Sequence, residues 1–167
     1  MNTSDLHRFL RGLPAFERLG ERSLDALASQ MREQDYPAGH TLMTQGQCSS
    51  AMHVVITGRI ETGALSSEYG KPCELAEGSI IGLLSLANIP ELENYQCKES
   101  VQVATLSRAH FDALYSLSPA AARLIQYMIA VRLAQLLQAK NHALRQTLRT
   151  KATPQKSISP LKRWFGA

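Results

Sequence analysis

The stretch with the most readable chemistry runs from Glu77 to Leu92, EGSIIGLLSLANIPEL, where Gly78, Gly82, Leu86 and Pro90 punctuate an apolar run. Glycine and proline at such intervals suit a turn, here a buried one between strands. The chemistry that a turn of this kind offers is the holding of a ligand, not the breaking of a bond. Elsewhere no Ser/His/Asp set, no metal-ligand spacing and no Gly-rich phosphate loop leading into a helix can be named, so neither an enzyme nor a cofactor is expected.

Gly78, Gly82, Leu86 and Pro90 stand at the spacing of the phosphate-binding cassette of cyclic nucleotide-binding domains, roughly G-x-x-F-G-E-x-x-L-x-x-x-P-R-S/T-A. The sequence resembles that family in its bacterial catabolite-activator-like branch. The resemblance implies that the Glu after the second glycine holds the ribose hydroxyl and that the Arg after the proline pairs with the cyclic phosphate. Here Leu83 stands at the Glu position, Glu91 at the Arg position and Leu92 at the Ser/Thr position, with Gly82 and Leu84 completing the pocket equivalents. An Arg–phosphate pair is bidentate and charge-assisted. Glu91 sets a carboxylate in its place, and Leu83 leaves the ribose with unpaired polar groups on burial. Poor binding of cyclic AMP and cyclic GMP is expected.

Length and composition bound what can position such a site. The 167 residues suffice for one domain with a real core plus appendages. No apolar run of eighteen residues and no basic start followed by an apolar segment is readable, so the sequence predicts a cytoplasmic protein without a membrane span. Cys48, Cys73 and Cys97 lie too far apart for the close pairs that metal sites use and read as ordinary thiols. Charge is strongly divided: residues 1–112 hold 9 Lys and Arg with all 14 acids, whereas residues 113–167 hold 9 Lys and Arg and no acid. The modest net charge of +4 hides this split.

The elements follow from periodicity. Residues 5–35 read as helical, with Leu6, Phe9, Leu10, Leu13, Phe16 and Leu19 at helical spacing and a second segment after Gly20 capped by Ser23. From Gln34 the period shortens. Tyr36–Gly39 reads as a turn, Thr41–Met43 as a strand, Gln45–Gln47 as a turn, and Met52–Ile56 and Ile60–Leu65 as strands, with Ser66–Pro72 as a hairpin loop. The spacing of Gly39, Gly46 and Gly58 also resembles the family and implies a compact roll of short antiparallel strands. Alternation places His53 towards solvent, opposite Met52 and Val54. Ser100–Leu106 alternates as a half-buried strand, and Ser107 caps a short helix, Ser107-Arg108-Ala109-His110-Phe111 resembling the family's S-R-E-D-F.

Ser118-Pro119 starts a long helix, since no Gly or Pro occurs from Ala120 to about Thr150. Leu124, Met128, Val131, Leu133 and Leu136 give it an apolar face that needs a partner, and in the resembled family the partner is the same helix of a second subunit. Residues 151–167 read as a flexible basic tail. Lys162, Arg163, Trp164 and Phe165 within it read either as a docking motif for a protein or anionic surface, or as an unstructured end or one folded back on its own domain.

The expected fold is therefore α+β, an antiparallel β-roll of jelly-roll type with N-terminal helices and a long C-terminal helix, spanning residues 1–150. The expected function is a non-enzymatic regulatory module that forms a homodimer and signals through an unidentified protein partner. A small-molecule sensor with altered specificity is the alternative. Weak nucleic-acid binding through the basic end is a third reading, since no helix-turn-helix follows and no base-reading motif is present.

Overall fold

The computed structural model describes residues 3–63 and 73–151. The expected loop Ser66–Pro72, the end of the strand expected to reach Leu65, and the basic tail lie outside the described residues. Three helical pieces come first: α1 (Thr3–Arg11), a 3₁₀ turn (Pro14–Phe16) and α2 (Glu21–Gln30). Strands β1 (Arg32–Tyr36), β2 (Thr41–Met43), β3 (Ala51–Thr57), β4 (Ile60–Thr62), β5 (Cys73–Leu75) and β6 (Ile80–Ile81) follow. After a four-residue helix, α3 (Leu83–Leu86), come β7 (Tyr95–Cys97), β8 (Val101–Ser107), α4 (Arg108–Leu117) and α5 (Pro119–Lys151).

The strands make two four-stranded antiparallel sheets, in the orders β1-β8-β3-β6 and β2-β7-β4-β5. This is the expected roll. β3 and β8 are central in the first sheet, and both of their faces are covered. Met52, Val54, Ile56, Ala104 and Leu106 face the helices, in one cluster with Leu10, Phe16, Leu27, Phe111 and Ile125. Val55 and Val103 point the other way, into a second cluster with Met43, Ile60, Ile81 and Tyr95. Each such side chain stabilises the fold by roughly 1.5–3 kcal/mol through burial.

Three sequence readings are corrected, the first of them by that double coverage. His53 does not point to solvent: it is only 5% exposed, because the side of β3 opposite Met52 and Val54 faces the second sheet. Residues 32–35 are not helical and Tyr36 does not begin the turn: Arg32–Tyr36 is an edge strand, paired with β8 from Arg32↔Thr105 to Tyr36↔Val101. REQDY carries no strand-like hydrophobic pattern, and pairing with β8 decides its state. Ser23 is not a cap; Gly20 is, and its carbonyl accepts from Ser23 N at 2.9 Å and Leu24 N at 3.1 Å. Both expected caps further on are present: the Ser107 hydroxyl accepts from His110 N at 3.3 Å, and that of Ser118 from Ala121 N at 3.3 Å.

The chain divides by packing into Met1–Arg132 and Leu133–Ala167. In the first unit Ala121, Ala122 and Ile125 of α5 are fully buried, with Leu124 and Met128 packed against the same cluster and Val131 half-buried. In the second, Leu136 is half-buried while Leu133, Leu137, Leu144 and Leu148 are 39%, 63%, 57% and 57% exposed. At 3.6 residues per turn these four leucines fall within about 60° of helix circumference. Pro119–Arg149 is also long and apolar enough to cross a membrane by length and composition, and 17% of its most apolar stretch is buried in the protein.

Candidate functional site

Glu77–Leu92 is more than a turn. It builds β6, then Gly82, then α3, and returns through Asn88, whose φ of 62° is left-handed. β6 sits on the edge of the first sheet, with His53↔Ile81 and Val54↔Ile80 in register. Gly82 makes the sharp step from strand to helix: its φ is +79°, and a Cβ would meet the Ala51 carbonyl and Met43 Cε. Only glycine fits that corner.

Of the residues at ligand positions, Leu83 is half-buried against the helix-side cluster and Leu84 is buried at 4%. Leu92 is half-buried. Glu91 is buried at 3%, and its side chain has turned inward onto the cassette itself. Its carboxylate Oε1 accepts a hydrogen bond from the Ser85 amide at 3.1 Å. Ser85 lies in the single turn of α3, where the amides have no intrahelical acceptors, and the carboxylate supplies the acceptor that the Ser85 amide lacks. Its backbone is pinned as well, with Glu91 N donating to Gln47 O at 3.0 Å and Gly46 N donating to Glu91 O at 2.8 Å. The Ser85 hydroxyl accepts from Ser49 N at 3.1 Å, joining the same turn to the β2–β3 connection.

A second buried carboxylate, two residues on, escaped the sequence reading. Glu93 is 4% exposed and its Oε2 accepts from the Thr62 hydroxyl at 2.6 Å. The signal was alternation: Glu91, Glu93, Tyr95 and Cys97 are all buried, whereas Asn94 and Gln96 are exposed. Two acids at inward positions break the hydrophobic pattern that would otherwise mark the approach to a strand.

Near the cassette, Arg108 on α4 donates from Nη1 to the Leu86 carbonyl at 2.9 Å and from Nε to Asp112 at 3.0 Å. On β3, His53 Nδ1 lies 2.8 Å from the Thr105 hydroxyl, which donates to Gln34 Oε1 at 2.8 Å. Burial pushes His53 down to a pKa of about 4, so the ring is neutral at neutral pH. Burial also raises the Cys97 thiol. All three cysteines are free, and among the described residues no three His, Cys, Asp or Glu side chains converge on a point that could hold a metal.

Residues 33–118 match the family model of the cyclic nucleotide-binding domain, more than half of the chain. Over 107 residues the chain is 28% identical to the cAMP-dependent protein kinase regulatory subunit of Yarrowia lipolytica, a match covering 64% of this chain and 28% of that protein. The chain thus spans less than a third of that relative's length. Its fold is similar to the catabolite activator protein of Thermus thermophilus, with a TM-score of 0.64 and 23% identity over 80% of this chain and 62% of that one. It is equally similar to the regulatory subunit of a cAMP-independent protein kinase A from Trypanosoma cruzi, solved bound to guanosine, with a TM-score of 0.64 and 20% identity over 87% and 50%. A roll of two antiparallel sheets, a glycine-framed cassette between β6 and β7 and a matching family model over the same residues have one meaning: this chain belongs to the cyclic nucleotide-binding domain family.

Proposed function

We propose that this protein is a non-enzymatic regulatory module of that family that does not respond to cyclic AMP or cyclic GMP and acts by contacting a protein partner. The observation that carries this reading is the Glu91 carboxylate, buried and bonded to the Ser85 amide, where an anionic ligand would have to sit. In a melting assay neither cyclic nucleotide should raise Tm. A ligand present at 100 times its Kd adds about 2.7 kcal/mol to stability, so a clear rise at sub-millimolar nucleotide would sink the reading. Guanosine and adenosine, which lack the phosphate, belong in the same assay. A rise with either, and none with the cyclic nucleotides, supports the alternative of a sensor for an uncharged ligand, since Glu91 repels only the anion.

Self-association through α5 is part of the proposal. Leu133, Leu137, Leu144 and Leu148 form an exposed stripe, and burial of each leucine is worth roughly 1.5–3 kcal/mol. The protein is expected to be a dimer in light scattering at micromolar concentration, and Leu137→Asp with Leu144→Asp should give monomers of unchanged fold. A monomeric wild type ends this part of the proposal.

The partner-binding element proposed is the basic segment with Lys162, Arg163, Trp164 and Phe165, residue types common at binding hot spots, where truncation costs about 2 kcal/mol or more. Deleting Ser157–Ala167 should leave the melting curve intact and abolish a pull-down interaction that the full chain supports. Equal recovery of partners by both forms assigns that role elsewhere. Binding to nucleic acid by the same positive charges, the third reading, would instead be lost steeply as salt rises.

A further inference from the structure

α3 is held from outside at both ends. Near its start the Ser85 amide donates to Glu91 Oε1 at 3.1 Å, and at its finish the Leu86 carbonyl accepts from Arg108 Nη1 at 2.9 Å. A helix of four residues has no partners within itself for its first amides and is too short to persist by propensity, while its carbonyls at Leu83, Leu84 and Ser85 accept from Ala87, Asn88 and Ile89. Gly82, its N-cap, has no side chain to contribute one. Arg108 is anchored in turn, with its backbone amide donating to Ser50 O at 2.8 Å and its guanidinium paired with Asp112 one turn along α4. Leu83 and Leu86 of α3 share one apolar cluster with Phe111 and Leu114 of α4, and beside it an open depression of about 250 Å³ lies among Leu86, Ala87, Arg108, Phe111, Gln126 and Ile129, where α3, α4 and the first part of α5 meet. To that packing Glu91 and Arg108 add the polar contacts that fix α3 at its start and tie its end to α4.

We infer that Glu91 is a built-in ligand for α3: its carboxylate holds α3 in one position, Arg108 passes that position to α4, and the junction with α5 is set without any added molecule. This rests on the proposed function, in which Glu91 fills the anion position, and adds what the filling does. A ligand shifts a protein between states only through its difference in affinity for them. An acceptor carried on the chain is present at every concentration of everything else, so the module stays in one state until Glu91 is withdrawn.

Hydrogen exchange of the ligand-free full chain tests this. Glu91→Ala is expected to speed exchange tenfold or more in residues 83–87 and also in residues 108–117, while strands β3 and β8 keep their protection. In an Arg108→Gln background the same substitution should still act on residues 83–87 and no longer on 108–117, which separates transmission from a purely local defect. If Glu91→Ala unfolds the chain, Glu91→Gln decides: it keeps the size and an accepting oxygen but loses the charge, and a smaller rise in the same two segments is expected. Wild-type exchange in both segments overturns the inference, and so does a rise confined to 83–87. Stabilisation of the wild type by cyclic AMP would count against the proposed function by a different measurement, so the two can fail separately.

Discussion

Acidification from pH 6.5 towards pH 4 is expected to weaken the fold by about 3 kcal/mol through His53 alone. The Thr105 hydroxyl has one proton and donates it to Gln34 Oε1, so it can only accept from His53, which fixes the proton of the neutral ring on Nδ1. Protonating the other nitrogen would place a charge at a site 5% exposed, between two sheets, which is why burial lowers the pKa to about 4. In the unfolded chain the ordinary value of about 6.5 applies. Above pH 6.5 both states are neutral at this residue and it adds no slope. Between 6.5 and 4 the unfolded chain binds the proton more tightly, so stability falls with pH, and below 4 the loss is complete. Urea titrations at pH 7, 6, 5 and 4.5, compared with His53→Gln, isolate this residue from the carboxylates. Parallel pH profiles for the two proteins would show that His53 is not the cause.

Phe16→Ala should cost about 3–5 kcal/mol, seen as a lower denaturant midpoint with an unchanged far-ultraviolet spectrum at low denaturant. Phe16 is fully buried and shares a cluster with Met52, Val54 and Leu106 of the first sheet, although it lies outside residues 33–118 that match the family model. The 3₁₀ turn that presents it therefore belongs to the core of the roll. A cost below about 1 kcal/mol would mean that the N-terminal helices lie on the sheet without supporting it.

The two residues also mark how far the sequence could be read. Phe16, Leu24 and Leu27 were legible because amphipathic helices announce their buried side, and Gly39, Gly46, Gly58, Gly78 and Gly82 because all five have positive φ. The roll and its cassette follow from those signals. His53 was misplaced because alternation tells that two faces exist and not whether the second is wet, which depends on a sheet formed by residues far along the chain. Arg32–Asp35 read as helix and Tyr36 as turn for the same reason, as the strand state of this segment is conferred by β8, some seventy residues later. Glu91 was found through its position in the cassette. Its partner, the Ser85 amide, could not be found that way, because a backbone donor has no signature in the side chains. Glu93 hid behind its own charge, because a buried acid is rare and two of them interrupt the apolar alternation that marks an inward-facing segment.

The corner at Gly82 bears on what such a cassette identifies. Its Cβ position is filled by the Ala51 carbonyl and Met43 Cε, so the glycine answers to the folding of the roll and to nothing that binds in it. Leu83 and Glu91, by contrast, are held through their side chains, Leu83 by the helix-side cluster and Glu91 by the Ser85 amide. The frame of a cassette and the side chains around it therefore answer to different demands, and a glycine in its place identifies the turn without identifying what the turn holds.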